Sequence, residues 1–149
     1  MNKLDMNRVT SMCEKLNGER AYLEKSNESS SLVVIFSPIN IPEGKFGFSR
    51  LFSRVPVNKL YINSPGNQWF QRGIDDINSL IDLVISDNGI KEIFYYGSSM
   101  GAYGSSLFSL MRQDGMSLSF GPNIELGITG SHSARYAINF DTRFKSLSP

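Results

Sequence analysis

The stretch Phe94-Tyr95-Tyr96-Gly97-Ser98-Ser99-Met100-Gly101-Ala102-Tyr103-Gly104 decides how the rest of the chain is read. An apolar, aromatic run from Lys91 to Tyr96 breaks into small residues. Met100, Tyr103, Leu107, Leu110 and Met111 then recur at helical spacing. The pattern predicts a strand, a tight turn and a helix. Gly97, Ser99 and Gly101 fit G-x-S-x-G, in which the central serine sits on a strained strand-to-helix turn with its hydroxyl lifted above the sheet edge. Glycine on either side lets strand and helix approach without Cβ clashes. Among 13 glycines and 22 serines a chance match is expected in roughly one such sequence in six, so the flanking strand and helix carry the reading. A phosphate-binding loop also runs strand, glycine, helix, but Gly97, Gly101 and Gly104 are not spaced as G-x-G-x-x-G and no lysine follows to make a Walker-type loop. The amide of Met100, at the positive end of the following helix, is placed to stabilise an oxyanion beside Ser99.

Upstream of this turn, Ile74, Ile77, Leu80, Ile81, Val84 and Ile85 form an apolar stripe at spacings of three and four, the clearest helix in the chain. Asp75 and Asp76 favour its dipole and Gly89 ends it. It leads directly into Lys91-Glu92-Ile93-Phe94, which makes a strand–helix–strand crossover with Lys59-Leu60-Tyr61-Ile62. Leu32-Val33-Val34-Ile35-Phe36 is a continuous β-branched and aromatic run, as expected of a strand covered on both faces. The loop after it, rich in Phe46, Phe48 and Phe52, either roofs a pocket or packs on the core. Trp69 follows a strand's C-terminal end, where α/β sheets place ligands, but a single tryptophan is more often core. Ala21-Tyr22-Leu23 reads as a brief edge strand and Met116 to Phe120 as a short strand. Residues 4 to 16 fit a short helix or a strand pair equally, and 130 to 133 read as a loop.

Gly97 to Gly104 resembles the nucleophile elbow of the α/β-hydrolase superfamily, and the preceding segments resemble that fold's central strands. The likeness covers roughly residues 31 to 145. Within the superfamily it is most similar to a bacterial branch with Gly-Ser-Ser-Met-Gly elbows, some of whose members occur with surface-polysaccharide biosynthesis genes. The resemblance implies Ser99 as nucleophile and a second oxyanion N–H from Ile39 or Asn40, in the loop after the strand that ends at Phe36; Pro38 has no N–H to give. A working site also needs a base and a carboxylate that orients it. His132 is the only histidine and so the sole imidazole candidate, and Asp141 is the first candidate for the acid. The superfamily order is serine, acid, histidine, with the histidine after the last strand, whereas here Asp141 follows His132. Asp141 resembles the aspartate of a Trp-Asp-x-Arg-like segment in this branch. A salt bridge with Arg143 accounts for it equally well, and Glu125 is a third carboxylate with less support.

The expected fold class is therefore α/β, an open and mainly parallel sheet with helices on both faces, α/β-hydrolase-like and truncated. Residues 1–149 form one domain, incomplete at the C-terminus, with 1–30 as an N-terminal extension or edge hairpin. Hydrophobic content of 40%, charged content of 19% and a net charge of +1 give no pull toward nucleic acid. Cys13 is the only cysteine, so no intrachain disulfide and no cysteine metal cluster can form, and no metal or cofactor is expected. The polar N-terminus is followed by no signal-like core and no run approaches the roughly 18 apolar residues of a spanning helix, so a cytoplasmic chain without membrane insertion is expected. The expected function is a serine-dependent ester or acyl hydrolase acting on a small-molecule or glycan-linked ester. The alternative is an inactive hydrolase-like accessory protein in polysaccharide assembly or export. A sheet ending early leaves an edge strand unpaired, and self-association through it is expected.

Overall fold

The computed structural model describes residues 16–136, 140 and 142–148. The expectations for residues 4 to 15, Cys13 among them, lie outside the described residues. Five strands form one sheet: β1 (Arg20–Glu24), β2 (Ser31–Phe36), β3 (Asn58–Asn63), β4 (Glu92–Ser98) and β5 (Met116–Phe120), in the order β1-β3-β2-β4-β5. β1 pairs antiparallel with β3, as an edge, and every other pairing is parallel. The sheet is open and mainly parallel, as the sequence pattern requires. The expected helix appears as Ile74–Asn88, ended by Gly89 at φ 59 with its N–H donated to the Ile85 carbonyl. The helix after the elbow runs from Met100 to Arg112. A four-residue helix, α1 (Ser49–Phe52), precedes these two, which are α2 and α3, and α4 (His132–Tyr136) follows them.

β2 lies at the centre of the sheet, so its side chains enter two different cores. Leu32, Val34 and Phe36 join the apolar faces of α2 and α3, among them Ile77, Leu80, Ile81, Tyr103, Leu107 and Phe108. Val33 and Ile35 point the other way, where with Tyr61 they are covered by Phe46, Phe48, Phe52 and Val57 from α1 and the flanking loop. The two helical layers are thus unequal. Two long helices cover one face, and a single helical turn with its aromatic loop covers part of the other. Trp69, fully buried and edge-on to Tyr103 with ring centroids 5.8 Å apart, belongs to the first core.

Polar ties lock the first layer. The half-buried Arg112 guanidinium joins α3 to α2 and to the turn before β5 through Asp82 at 2.7 Å, Asp114 at 2.8 Å and the Asn78 carbonyl at 3.3 Å. It also donates to the Tyr95 hydroxyl, whose ionisation is pushed up by burial and by its hydrogen bond to Asp114. On the other face Lys59, nearly fully buried, keeps its charge company with Glu24 at 2.7 Å and the Phe52 carbonyl at 3.0 Å. The buried ammonium is tolerated because a carboxylate and a backbone carbonyl both accept from it.

β5 is divided by its alternation. Ser117 and Ser119 face α3, where the Ser119 hydroxyl lies 2.6 Å from Ser105 and 2.9 Å from Ser106. Met116, Leu118 and Phe120 face the opposite side and are 70%, 57% and 50% exposed. An open groove of about 420 Å³ runs between Met116 and Leu118 on one side and Phe52, Phe94 and Tyr96 on the other.

Beyond β5 the structure differs from the sequence expectation in one place. Residues 130 to 133 read as a loop, yet His132 to Tyr136 form a helical turn, because the Ser131 hydroxyl accepts the Ala134 N–H at 3.3 Å as a local cap. The Ile124–Ile128 stretch makes a single bridge, Glu125 with Ser146, flanked by Leu126 N–H to Lys145 and Leu147 N–H to Ile124 carbonyls.

Candidate active site

Ser99 stands between β4 and α3 with φ 56 and ψ −122, a conformation that L-residues adopt only when their surroundings enforce it. Its neighbours do so by leaving no room. A Cβ added at Gly97 would lie 2.0 Å from the Gly101 carbonyl oxygen, and one added at Gly101 would lie 2.1 Å from that of Phe36. Strand, turn and helix therefore meet backbone to backbone, as the G-x-S-x-G spacing predicts. The Ser99 N–H donates to the Phe120 carbonyl at 3.0 Å, and its own carbonyl accepts from Ala102 and Tyr103, which starts the helix. Its side chain caps nothing, and among the described residues its hydroxyl has no hydrogen-bond partner.

The Met100 side chain is fully buried, and its N–H, on the first residue of α3, has no acceptor among the described residues. That amide stands unengaged at the N-terminus of the helix, beside Ser99. The loop after β2 begins against the elbow, since Gly101 packs on the backbone of Phe36 and Ser37. In it the Ser37 N–H remains on β3, donating to the Ile62 carbonyl at 2.8 Å. Ile39 packs partly on the main core. Asn40, at φ 62, is exposed, and its N–H donates to Asn67 Oδ1 at 2.9 Å.

His132 is the first residue of α4, a helix-start position after β5. Asp141 lies outside the described residues. Arg143, its partner in the alternative salt-bridge reading, lies over the Phe144 ring with 5.1 Å from guanidinium carbon to centroid. Glu125 bridges Ser146 through its backbone. Tyr103, one turn along α3 from Ser99, donates its hydroxyl to the Phe144 carbonyl and accepts from Gln71 Nε2 at 2.8 Å, so the tail after Thr142 is tied to α3.

Sequence reasoning missed a supporting layer under the loops. Glu19 is buried, with one carboxylate oxygen accepting the Ser64 hydroxyl at 3.1 Å and the other without a partner. Burial pushes its pKa from the ordinary 4.5 up to about 7, against smaller lowering effects of the Ser64 hydrogen bond and the Arg72 and Arg20 charges. Ser64 in turn accepts the Gln68 N–H at 3.0 Å. No spacing rule links Glu19 to a loop 45 residues away, so nothing in the sequence signals this contact. Among the described residues no cluster of histidine, cysteine, aspartate and glutamate could hold a metal, and no helix is long and apolar enough to cross a membrane.

No protein-family model matches the chain, and no curated protein matches it in sequence. Solved structures do. The capsule O-acetyltransferase of Neisseria meningitidis serogroup A superposes on 87% of this chain with a TM-score of 0.59 at 19% identity, and the chain spans 59% of it. An α/β serine hydrolase homologue from Coxiella burnetii matches 68% of this chain at a TM-score of 0.52 and 13% identity, with 56% of that protein covered. The fold is that of the α/β hydrolases. A monoacylglycerol lipase from Paleococcus ferrophilus adds a third match, at a TM-score of 0.50 and 14% identity over 76% of this chain and 47% of the lipase. The chain thus spans about half to three fifths of the solved proteins that it resembles.

Proposed function

We propose that this chain performs serine-dependent acyl chemistry, as an ester or acyl hydrolase whose substrate is a small or glycan-linked ester. The observation that carries the reading is Ser99, held at φ 56 and ψ −122 on the N-terminus of α3 by two glycines that no other residue can replace without a backbone clash. In the proposed reaction the Ser99 hydroxyl oxygen attacks the acyl carbon and its proton passes to a base, for which His132 is the candidate and Asp141 the orienting acid. The carbonyl oxygen gains the charge and meets the Met100 N–H and an N–H of the loop after β2. Collapse expels the alcohol with that proton, and water then releases the acid. A glycan-linked ester fits the likeness to a capsule O-acetyltransferase; a form of that enzyme was solved with CoA, so a sugar hydroxyl as acyl acceptor in place of water belongs to the same reading.

The second reading is a hydrolase-like accessory protein in polysaccharide assembly or export. The observation that favours it is the Ser99 hydroxyl, which has no partner among the described residues. Intact mass after incubation with a fluorophosphonate separates the two. A single adduct on the wild type and none on Ser99→Ala is the expected result for the enzyme. No adduct on a folded wild type, with a Ser99→Ala strain indistinguishable from its parent, establishes the accessory role instead.

A further inference from the structure

We infer that Asn67 is a positioning residue for the oxyanion loop and that the donor it positions is the Ile39 N–H, an inference that rests on the reading of Ser99 as an acyl nucleophile. Four residues leave β2 toward the elbow. Ser37 spends its N–H on the Ile62 carbonyl, Pro38 has none, and Asn40 spends its own on Asn67 Oδ1 at 2.9 Å. Ile39 is left with an N–H that nothing accepts among the described residues. An oxyanion donor has to be unengaged before substrate arrives and fixed in direction, since preorganised donors stabilise developing charge without reorganisation. Ile39 meets the first condition, and Asn67 supplies the second.

The fixing is reciprocal. Asn67 Nδ2 returns a bond to Asn40 Oδ1 at 3.0 Å, so two amides close a ring across the loops that follow β2 and β3. Asn40 and Asn67 both hold left-handed backbones, φ 62 and φ 50, which asparagine tolerates better than other side-chain-bearing residues. The far half of the β2 loop is tied separately. Asn63 Nδ2 donates to the Ile41 carbonyl at 3.0 Å and to those of Pro42 and Lys45, and the Gly47 N–H donates to the Ser37 hydroxyl at 2.9 Å. Among the described residues Asn67 alone hydrogen-bonds to the turn at Ile39 and Asn40. It is itself held, its N–H donating to the Ser64 carbonyl at 2.9 Å, with Ser64 standing on Glu19. Removing the Asn67 amide therefore frees the Ile39–Asn40 peptide, next in the chain to the Pro38–Ile39 peptide whose N–H has to face the acyl oxygen.

The test is the rate of fluorophosphonate labelling at Ser99, with p-nitrophenyl acetate turnover as a second readout. Asn67→Ala is expected to slow labelling about tenfold to a hundredfold and to lower kcat with KM little changed. Asn67→Asp keeps an acceptor for the Asn40 N–H and is expected to recover most of the loss. A purely structural role would instead lower the melting temperature for both variants while each folded molecule labelled at the wild-type rate. Should Asn67→Ala not fold, Asn40→Gly, which keeps the left-handed backbone and the N–H but loses the return bond, is expected to slow labelling by a smaller factor. Wild-type labelling rates in folded Asn67→Ala, or in Asn40→Gly where Asn67→Ala does not fold, overturn the inference and leave the functional reading standing. A wild-type protein that never labels overturns the functional reading, and the inference with it. Amide exchange at Asn40, faster in Asn67→Ala whatever the chemistry, then reports whether the two loops are clamped at all.

Discussion

The elbow at the end of β4 and the neighbouring edge strand β5 are separated in sequence by little more than α3, and they are built on opposite principles. At the elbow, backbone meets backbone so closely that a single added carbon at Gly97 or Gly101 falls within 2.1 Å of another backbone atom. At β5, Met116, Leu118 and Phe120 stand in the open, the first two along a groove, and the strand from Met116 to Phe120 carries no charge or proline to discourage a further strand. The opposite edge makes the contrast sharper. β1 carries Arg20, paired with Glu43 at 2.6 Å, and Glu24, paired with Lys59 at 2.7 Å. One edge is closed by charge and the other is open, while the centre tolerates one arrangement only. Close packing in this domain follows backbone contact, and apolar content by itself does not supply it.

The largest expected effect breaks the central half of that comparison. Gly101→Ala puts a methyl 2.1 Å from the Phe36 carbonyl oxygen, and neither backbone can retreat without tearing β2 from β4. A loss of about 4 kcal/mol or more in unfolding free energy is expected, read by urea denaturation, together with loss of fluorophosphonate labelling. A variant that stays as stable as the wild type would show that the elbow is looser than its packing.

An intermediate effect sharpens the comparison by placing charge inside the packed half. Glu19 is held protonated by burial, with a folded pKa of about 7 against the ordinary 4.5. The folded state binds the proton more tightly than the unfolded one, so the contribution is complete below about pH 4.5 and is lost as pH rises toward and through 7. From this group alone, unfolding free energy is expected to fall by about 3 kcal/mol between pH 4.5 and pH 8. Glu19→Gln should flatten that slope, and an unchanged slope in denaturation at pH 5 and pH 8 would remove Glu19 as its source.

The smallest effect places charge at the open edge. Leu118→Lys, at a side chain already 57% exposed, is expected to change stability by no more than about 0.5 kcal/mol. Its effect should be on association. Sedimentation velocity of the wild type is expected to show a concentration-dependent increase that the variant lacks, and a wild type that stays monomeric at high concentration would contradict the open edge as a pairing surface.

Much of this arrangement is legible in the chain because it depends on periodicity. The run Leu32 to Phe36 announces a strand covered on both faces, the stripe from Ile74 to Val84 announces its helix, and Gly97, Ser99 and Gly101 announce a turn whose strain the structure displays at φ 56. Ala21 to Leu23 as an edge strand follows from the same signal. What periodicity does not encode is side-chain reach between loops. The Asn40–Asn67 ring joins positions 27 residues apart, and the Glu19–Ser64 contact joins positions 45 apart, through single polar groups in irregular segments. Trp69 leaves its environment open in the sequence because the same residue suits a pocket or a core; the paired left-handed angles at Trp69 and Phe70, which turn the indole inward, have no sequence signature of their own. The turn at His132 was hidden for a similar reason, since its cap is one serine hydroxyl.

The strand order carries a consequence for synthesis. β2 pairs with β3 on one side and β4 on the other, and β1 reaches the sheet only through β3. On a ribosome adding 5–20 residues per second, the stretch between Phe36 and Glu92 takes roughly 3–10 s to make, and for that time the most apolar strand of the protein lacks its second neighbour. The turn at Ser99 is assembled last among the central elements, against a strand that has waited for it. During that interval the nascent chain presents Leu32 to Phe36 to whatever chaperone is nearby, and the rate of translation through α2 sets how long it does so.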